Sequence, residues 1–142
     1  MDHWLLKFDV EAGPSGHPAG FGRVEDAYYL MALAAGITMS DSRLHLDGPR
    51  AHFMTRPFDR VEDFGKIRVQ SLAAMDHADY TKPGAYSYEL ALTACQRLRL
   101  SVDDQAELYR RAVFNVIARN QDTIPVISSY DTGRQLVAIS GI

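Results

Sequence analysis

The period of the apolar pattern changes once along this chain, and that change limits the folds open to it. Up to about residue 60 the apolar residues come in short runs set between turn formers, with one helix among them; from Lys66 to Asn120 they recur mostly at helical spacing. A chain of 142 residues built this way is expected to be α+β, with a small strand part followed by a mainly helical part. The run Trp4–Phe8 reads as a strand, and the glycines and prolines between Gly13 and Gly22 read as a connection. Val24, Ala27, Tyr28, Met31, Ala34 and Ala35 fit a helix over Gly22–Ala35, with Gly36 as its stop.

Ser42–Leu46 and Ala51–Arg56 flank Asp47-Gly48-Pro49, which predicts a hairpin. Helices are expected near Lys66–His77, Ser87–Leu98 and Val102–Asn120, and Ser101 with Asp104 resembles a capping box. In the last helix Tyr109, Ala112, Val113, Val116 and Ile117 form one apolar stripe, read here as facing the core. Beyond Asp122, Ile124–Ile127 and Leu136–Ile139 read as two short strands around a turn at Asp131-Thr132-Gly133.

Charge and composition narrow the function classes. A net charge of -3 with a pI near 5.9 gives no basic field for direct nucleic-acid binding or a polybasic membrane contact. No apolar run approaches the roughly 20 residues that cross a bilayer, and a lone Cys95 suits a reducing, cytoplasmic location. Cys95 lies among apolar neighbours and reads as a small core residue. The five histidines, at positions 3, 17, 45, 52 and 77, lack ligand spacing and read as unrelated residues, so no metal site is assigned.

Three carboxylates and amines invite chemistry. Lys7 sits in an apolar strand, where its ammonium needs water or an anion; a phosphate is one partner, and an edge-strand lysine turned to water is the plainer alternative. Glu25, expected in the first turn of the next helix, pairs with such a lysine in known phosphate-positioning devices, or is simply a solvated helix-end charge. Asp122 closes Arg119-Asn120-Gln121-Asp122 at a helix-to-loop junction, a placement that suits either a base aimed by a rigid helix or an ordinary turn residue.

Three stretches, WLLKFD (Trp4–Asp9), AHFMTRPFDR (Ala51–Arg60) and VFNVIARNQD (Val113–Asp122), together resemble the HipA-type serine/threonine kinases, toxins of bacterial toxin–antitoxin pairs. Arg23–Met39 and Gln70–Tyr80 add matching texture in the same order. The resemblance implies a protein-kinase-like fold, with strand, helix and hinge-bearing hairpin in 1–60, a helical lobe in 61–122 and an aberrant tail in 123–142. It also implies ATP and Mg2+ as cofactors. Lys7 would approach the phosphates, the Arg56–Phe58 backbone would hold adenine, Asp59 would lie near the ribose, and Asp122 would be the catalytic base. Pro57 departs from the pattern by having no N–H, which leaves the Arg56 carbonyl and the Phe58 N–H for the hinge. The partners implied are a DNA-binding antitoxin and a protein substrate.

The tail departs further. The family continues past the aspartate with Asp-His-Thr-Lys/Arg-Asn and later Ser-Pro-Ala-Tyr-Asp, whose Asn and Asp bind magnesium; neither occurs in 123–142. Thr123–Ser128 can be encoded ACC ATA CCC GTA ATA TC, and one added base turns this into Asp-His-Thr-Arg-Asn-Ile. The expectation is a truncated, frameshifted and inactive kinase core, with a non-enzymatic remnant that binds an antitoxin or another subunit as the alternative.

Overall fold

A computed structural model describes residues 3–9, 20–61, 65–66, 87–120, 126–128 and 138–140. The architecture is α+β, in two compact units, Met1–Pro57 and Phe58–Ile142.

The first unit is a three-stranded antiparallel sheet with one helix packed on it. Strand β1 (Leu5–Lys7) pairs with β3 (Arg50–Thr55), and β3 pairs with β2 (Ser42–Asp47), giving the order β1-β3-β2. The expected hairpin is therefore real, closed by Gly48 and Pro49, and Gly48 takes the left-handed φ of +57° that such a turn demands. Its register sets Ser42 opposite Thr55, whose hydroxyls bond at 2.9 Å, and His45 opposite His52. Helix α1 (Phe21–Ala34) matches the predicted span to one residue at each end. It ends in a Schellman motif: Gly36 (φ +73°) donates to the Leu33 carbonyl, and the buried Ile37 donates to that of Ala32, each at 3.0 Å.

Helix α1 lies on the face of β3 that carries Ala51 and Phe53, both buried, and Tyr29 meets Phe53 edge-on. The close approach requires glycine. A Cβ on Gly22 would stand 1.9 Å from the Ala51 carbonyl oxygen. The apolar residues that revealed the helix by their spacing, Val24 and Met31 among them, point largely to solvent.

In the second unit β4 (Arg60–Val61) pairs with β5 (Gly65–Lys66), so Lys66 belongs to a strand and not to the start of a helix. The rest of the helix expected over Lys66–His77 lies outside the described residues. Helix α2 (Tyr88–Arg97) is capped by Ser87, whose hydroxyl accepts the Leu90 N–H. Helix α3 (Val102–Ile117) begins with the predicted capping box, Ser101 Oγ accepting from Asp104 N and Asp104 Oδ2 from Ser101 N. Both helices end in Schellman motifs with arginine at the left-handed position, Arg99 and Arg119, each at φ 54°.

The core of this unit is Ala91, Ala94, Cys95, Leu100 and Leu108. Small side chains on α2 let α3 approach, and α3 presents Leu108, Arg111, Ala112 and Asn115 as its buried residues. This overturns the core-facing reading of the Tyr109 stripe. Tyr109, Val116 and Ile117 are 60%, 71% and 77% exposed, and only Ala112 of the stripe is buried. The polar residues on the buried side are satisfied, Arg111 by Glu107 at 3.2 Å and Asn115 by the Tyr88 hydroxyl at 2.7 Å. Burial lowers the pKa of the Arg111 guanidinium, and the Glu107 charge opposes that. Strands β6 (Val126–Ser128) and β7 (Ala138–Ser140) pair antiparallel, as the tail pattern suggested; the turn at Asp131-Thr132-Gly133 lies outside the described residues.

Candidate functional site

Lys7 ends β1, which is an edge strand among the described residues, and its ammonium is nevertheless engaged. Its Nζ donates to Glu25 Oε1 at 3.1 Å and stands 3.0 Å from Oε2. The pair joins β1 to α1, while the Lys7 side chain keeps about half its surface in solvent (48%). Glu25 is the fifth residue of α1 and not part of its first turn, so the helix-dipole argument does not apply to it. Its carboxylate meets the lysine instead.

The start of α1 is fastened separately. Asp9 is buried, its Oδ1 accepts the Gly20 N–H at 2.9 Å, and its own N–H donates to His52 Nδ1 at 2.9 Å. Gly20 is the N-cap of α1, at φ +98°. His52 is 5% exposed, covered by Phe8 edge-on and stacked on His45, so these two histidines are cross-strand partners and not unrelated residues. The sequence pattern missed Asp9, Gly20, Gly22 and His52. Only the glycine spacing ahead of the helix hinted at a close backbone approach.

Arg56 follows β3. Its backbone N–H donates to the Asp41 carbonyl at 2.9 Å, so that donor is used within the sheet. Its guanidinium lies 5.3 Å from the centre of the Trp4 ring, and that of Arg43 lies 4.5 Å away, a cation–π arrangement at the sheet surface. Phe58 and Asp59 are half-buried, and the Asp59 carboxylate is 3.9 Å from Arg60 Nε. Lys7 and Arg56 thus share the first unit, and Phe58 and Asp59 belong to the second. Asp122 lies outside the described residues; the last residue described ahead of it is Asn120, whose side chain donates to Asn115 Oδ1 at 3.3 Å. Asn115 in turn ties α3 to Tyr88, so the end of α3 leading to Asp122 is anchored to α2.

Among the described residues no cluster of three or more His, Cys, Asp or Glu is placed to hold a metal ion, and no helix is long and apolar enough to cross a membrane. Cys95 is fully buried, which pushes its thiol up to about 11.

A small antiparallel sheet whose edge lysine is paired with a helix glutamate, followed by a helical unit, defines an α+β protein with an ion-paired amine at the sheet edge. A family model described as the HipA-like C-terminal domain matches residues 1–123, and the chain belongs to that family. The match ends one residue past Asp122. Neither curated proteins nor solved structures give a match.

Proposed function

We propose that this chain is the core of a HipA-like serine/threonine protein kinase, the toxin of a toxin–antitoxin pair, in which the ATP phosphates meet Lys7. The observation that carries the reading is the Lys7–Glu25 pair between β1 and α1, in a chain of this family. An ammonium held from one side by a carboxylate and half open to solvent on the other is fit to receive an anion, so the donor set suits a phosphate. The Arg56 N–H is bonded to the Asp41 carbonyl, so on the hinge reading that N–H is not the adenine donor, and the family pattern assigns the donor to the Phe58 N–H. Asp59 would lie toward the ribose, and Asp122 would accept the proton of the substrate hydroxyl. Bound MgATP would supply the phosphoryl group.

The residues after Asp122 do not fit the magnesium. Thr123-Ile124-Pro125-Val126-Ile127 offers no carboxamide or carboxylate where the family places one. The end of the family match at residue 123 supports the same point, and the frameshift reading explains it. Nucleotide binding with little or no phosphoryl transfer is the expected behaviour.

The test is thermal unfolding of the full chain with and without MgATP. A ligand present at 100 times its Kd adds about 2.7 kcal/mol of stability, which shifts the midpoint by several degrees. No shift at millimolar MgATP would sink the nucleotide reading. The exposed Tyr109, Val113, Val116 and Ile117 face of α3 favours a second one, a module that binds an antitoxin or partner subunit through that surface.

A further inference from the structure

We propose that His52 is a positioning residue for the Lys7–Glu25 pair, acting through Asp9 to fix the start of α1 against the sheet. Three contacts carry this. The Asp9 N–H donates to His52 Nδ1 at 2.9 Å; an N–H can only donate, so Nδ1 meets it with its lone pair and the ring proton sits on Nε2. The Asp9 carboxylate accepts the Gly20 N–H at 2.9 Å, and the Gly20 carbonyl accepts from Arg23 and Val24 in the first turn of α1. Gly22, in that same turn, lies against the Ala51 carbonyl, and Ala51 precedes His52 in β3.

The imidazole thus fixes Asp9 to β3, and Asp9 fixes the α1 N-terminus. Asp9 stands two residues past Lys7, and Gly20 stands five before Glu25. A shift of α1 along the sheet would therefore move Glu25 relative to Lys7, and the Asp9 bridge opposes that shift. Phe8 and His45 flank the ring, His52 is 5% exposed, and its bond to the Asp9 N–H is buried. A side chain serving only as filler would need no acceptor at Nδ1. The role is also separate from the substrate-facing one, because His52 bonds Asp9 and not Lys7.

The experiment uses the full chain and compares His52→Leu, which keeps bulk without an acceptor, with His52→Asn, whose side-chain oxygen can take the place of Nδ1. The first readouts need no nucleotide: hydrogen exchange at the Asp9 and Gly20 amides, and the rate at which acetic anhydride acetylates Lys7. Removing one buried hydrogen bond is expected to speed exchange at both amides about tenfold in His52→Leu, with faster Lys7 acetylation, while Leu100 and Asn120 amides keep their rates. His52→Asn is expected to restore both readouts. Unchanged exchange and acetylation in His52→Leu, or failure of His52→Asn to restore them, would overturn the proposal. MgATP protection is the last readout, and the only part that rests on the kinase reading; its absence in the unaltered chain counts against that reading, while the amide and acetylation results decide the role of His52.

Discussion

Glu25 Oε1 accepts a hydrogen bond from the Lys7 ammonium at 3.1 Å while Oε2 stands 3.0 Å from it in ionic contact alone, and the pair so couples an edge strand to the helix packed on the sheet. The Oε2 atom is itself buried, and the lysine is the only cation described against it. A pair this exposed on the lysine side contributes little to stability, of order 0–1 kcal/mol. Its value would be positional.

Lys7→Ala and Glu25→Gln are accordingly expected to leave the urea midpoint nearly unchanged, within about 1 kcal/mol. Both should lower the apparent MgATP affinity in a titration followed by thermal shift. An unfolded Lys7→Ala variant, or one that binds MgATP as well as the parent chain, would contradict the reading.

Gly22→Ala is expected to destabilise the first unit by about 2 kcal/mol or more, because the new methyl meets backbone that cannot turn aside. Gly20→Ala meets nothing within 4 Å but is held at φ +98°, so about 1 kcal/mol is expected there. Denaturant midpoints in the reverse order would refute this account of how α1 docks.

Arg99 and Arg119 occupy left-handed positions where glycine carries no Cβ penalty. Arg99→Gly and Arg119→Gly should each raise stability by roughly 0.5–1 kcal/mol, read as an upward shift in urea midpoint. A fall in both would show that the arginine side chains contribute more than the backbone strain costs.

Burial, and then the Asp104 charge, raise the Cys95 thiol from its ordinary 9.0 to about 11. The folded chain binds that proton more tightly than the unfolded chain, so the contribution to stability is full below about pH 9 and is lost as pH rises through about 11. Cys95→Ala should flatten this alkaline limb. A thiol reagent at pH 8 should label the native chain slowly and the urea-unfolded chain fast; rapid native labelling would contradict the burial.

Local chemistry was legible in the sequence. The Asp47-Gly48-Pro49 turn, the Ser101–Asp104 capping box, the Gly36 stop and the spans of α1, α2 and α3 follow from residues within a few positions of one another. Such features are decided by backbone dihedrals and near-neighbour hydrogen bonds, which a linear pattern records. The family resemblance was legible too, on Trp4–Asp9, Ala51–Arg60 and Val113–Asp122, and the family match over 1–123 agrees with it.

The tertiary structure alone decided which faces were buried and which side chains met. Spacing identified α3 as a helix but put its apolar stripe in the core, because periodicity fixes the angle between residues on a helix and not the direction of its neighbour. The small residues Ala91, Ala94 and Cys95 brought α2 against the Leu108 side, and Tyr88 and Glu107 satisfied Asn115 and Arg111 there. Lys7 and Glu25 stand 18 residues apart, and Asp9 and His52 stand 43 apart. Contacts of that separation depend on how α1 crosses β3, which the Gly22 approach sets in three dimensions and no local pattern encodes.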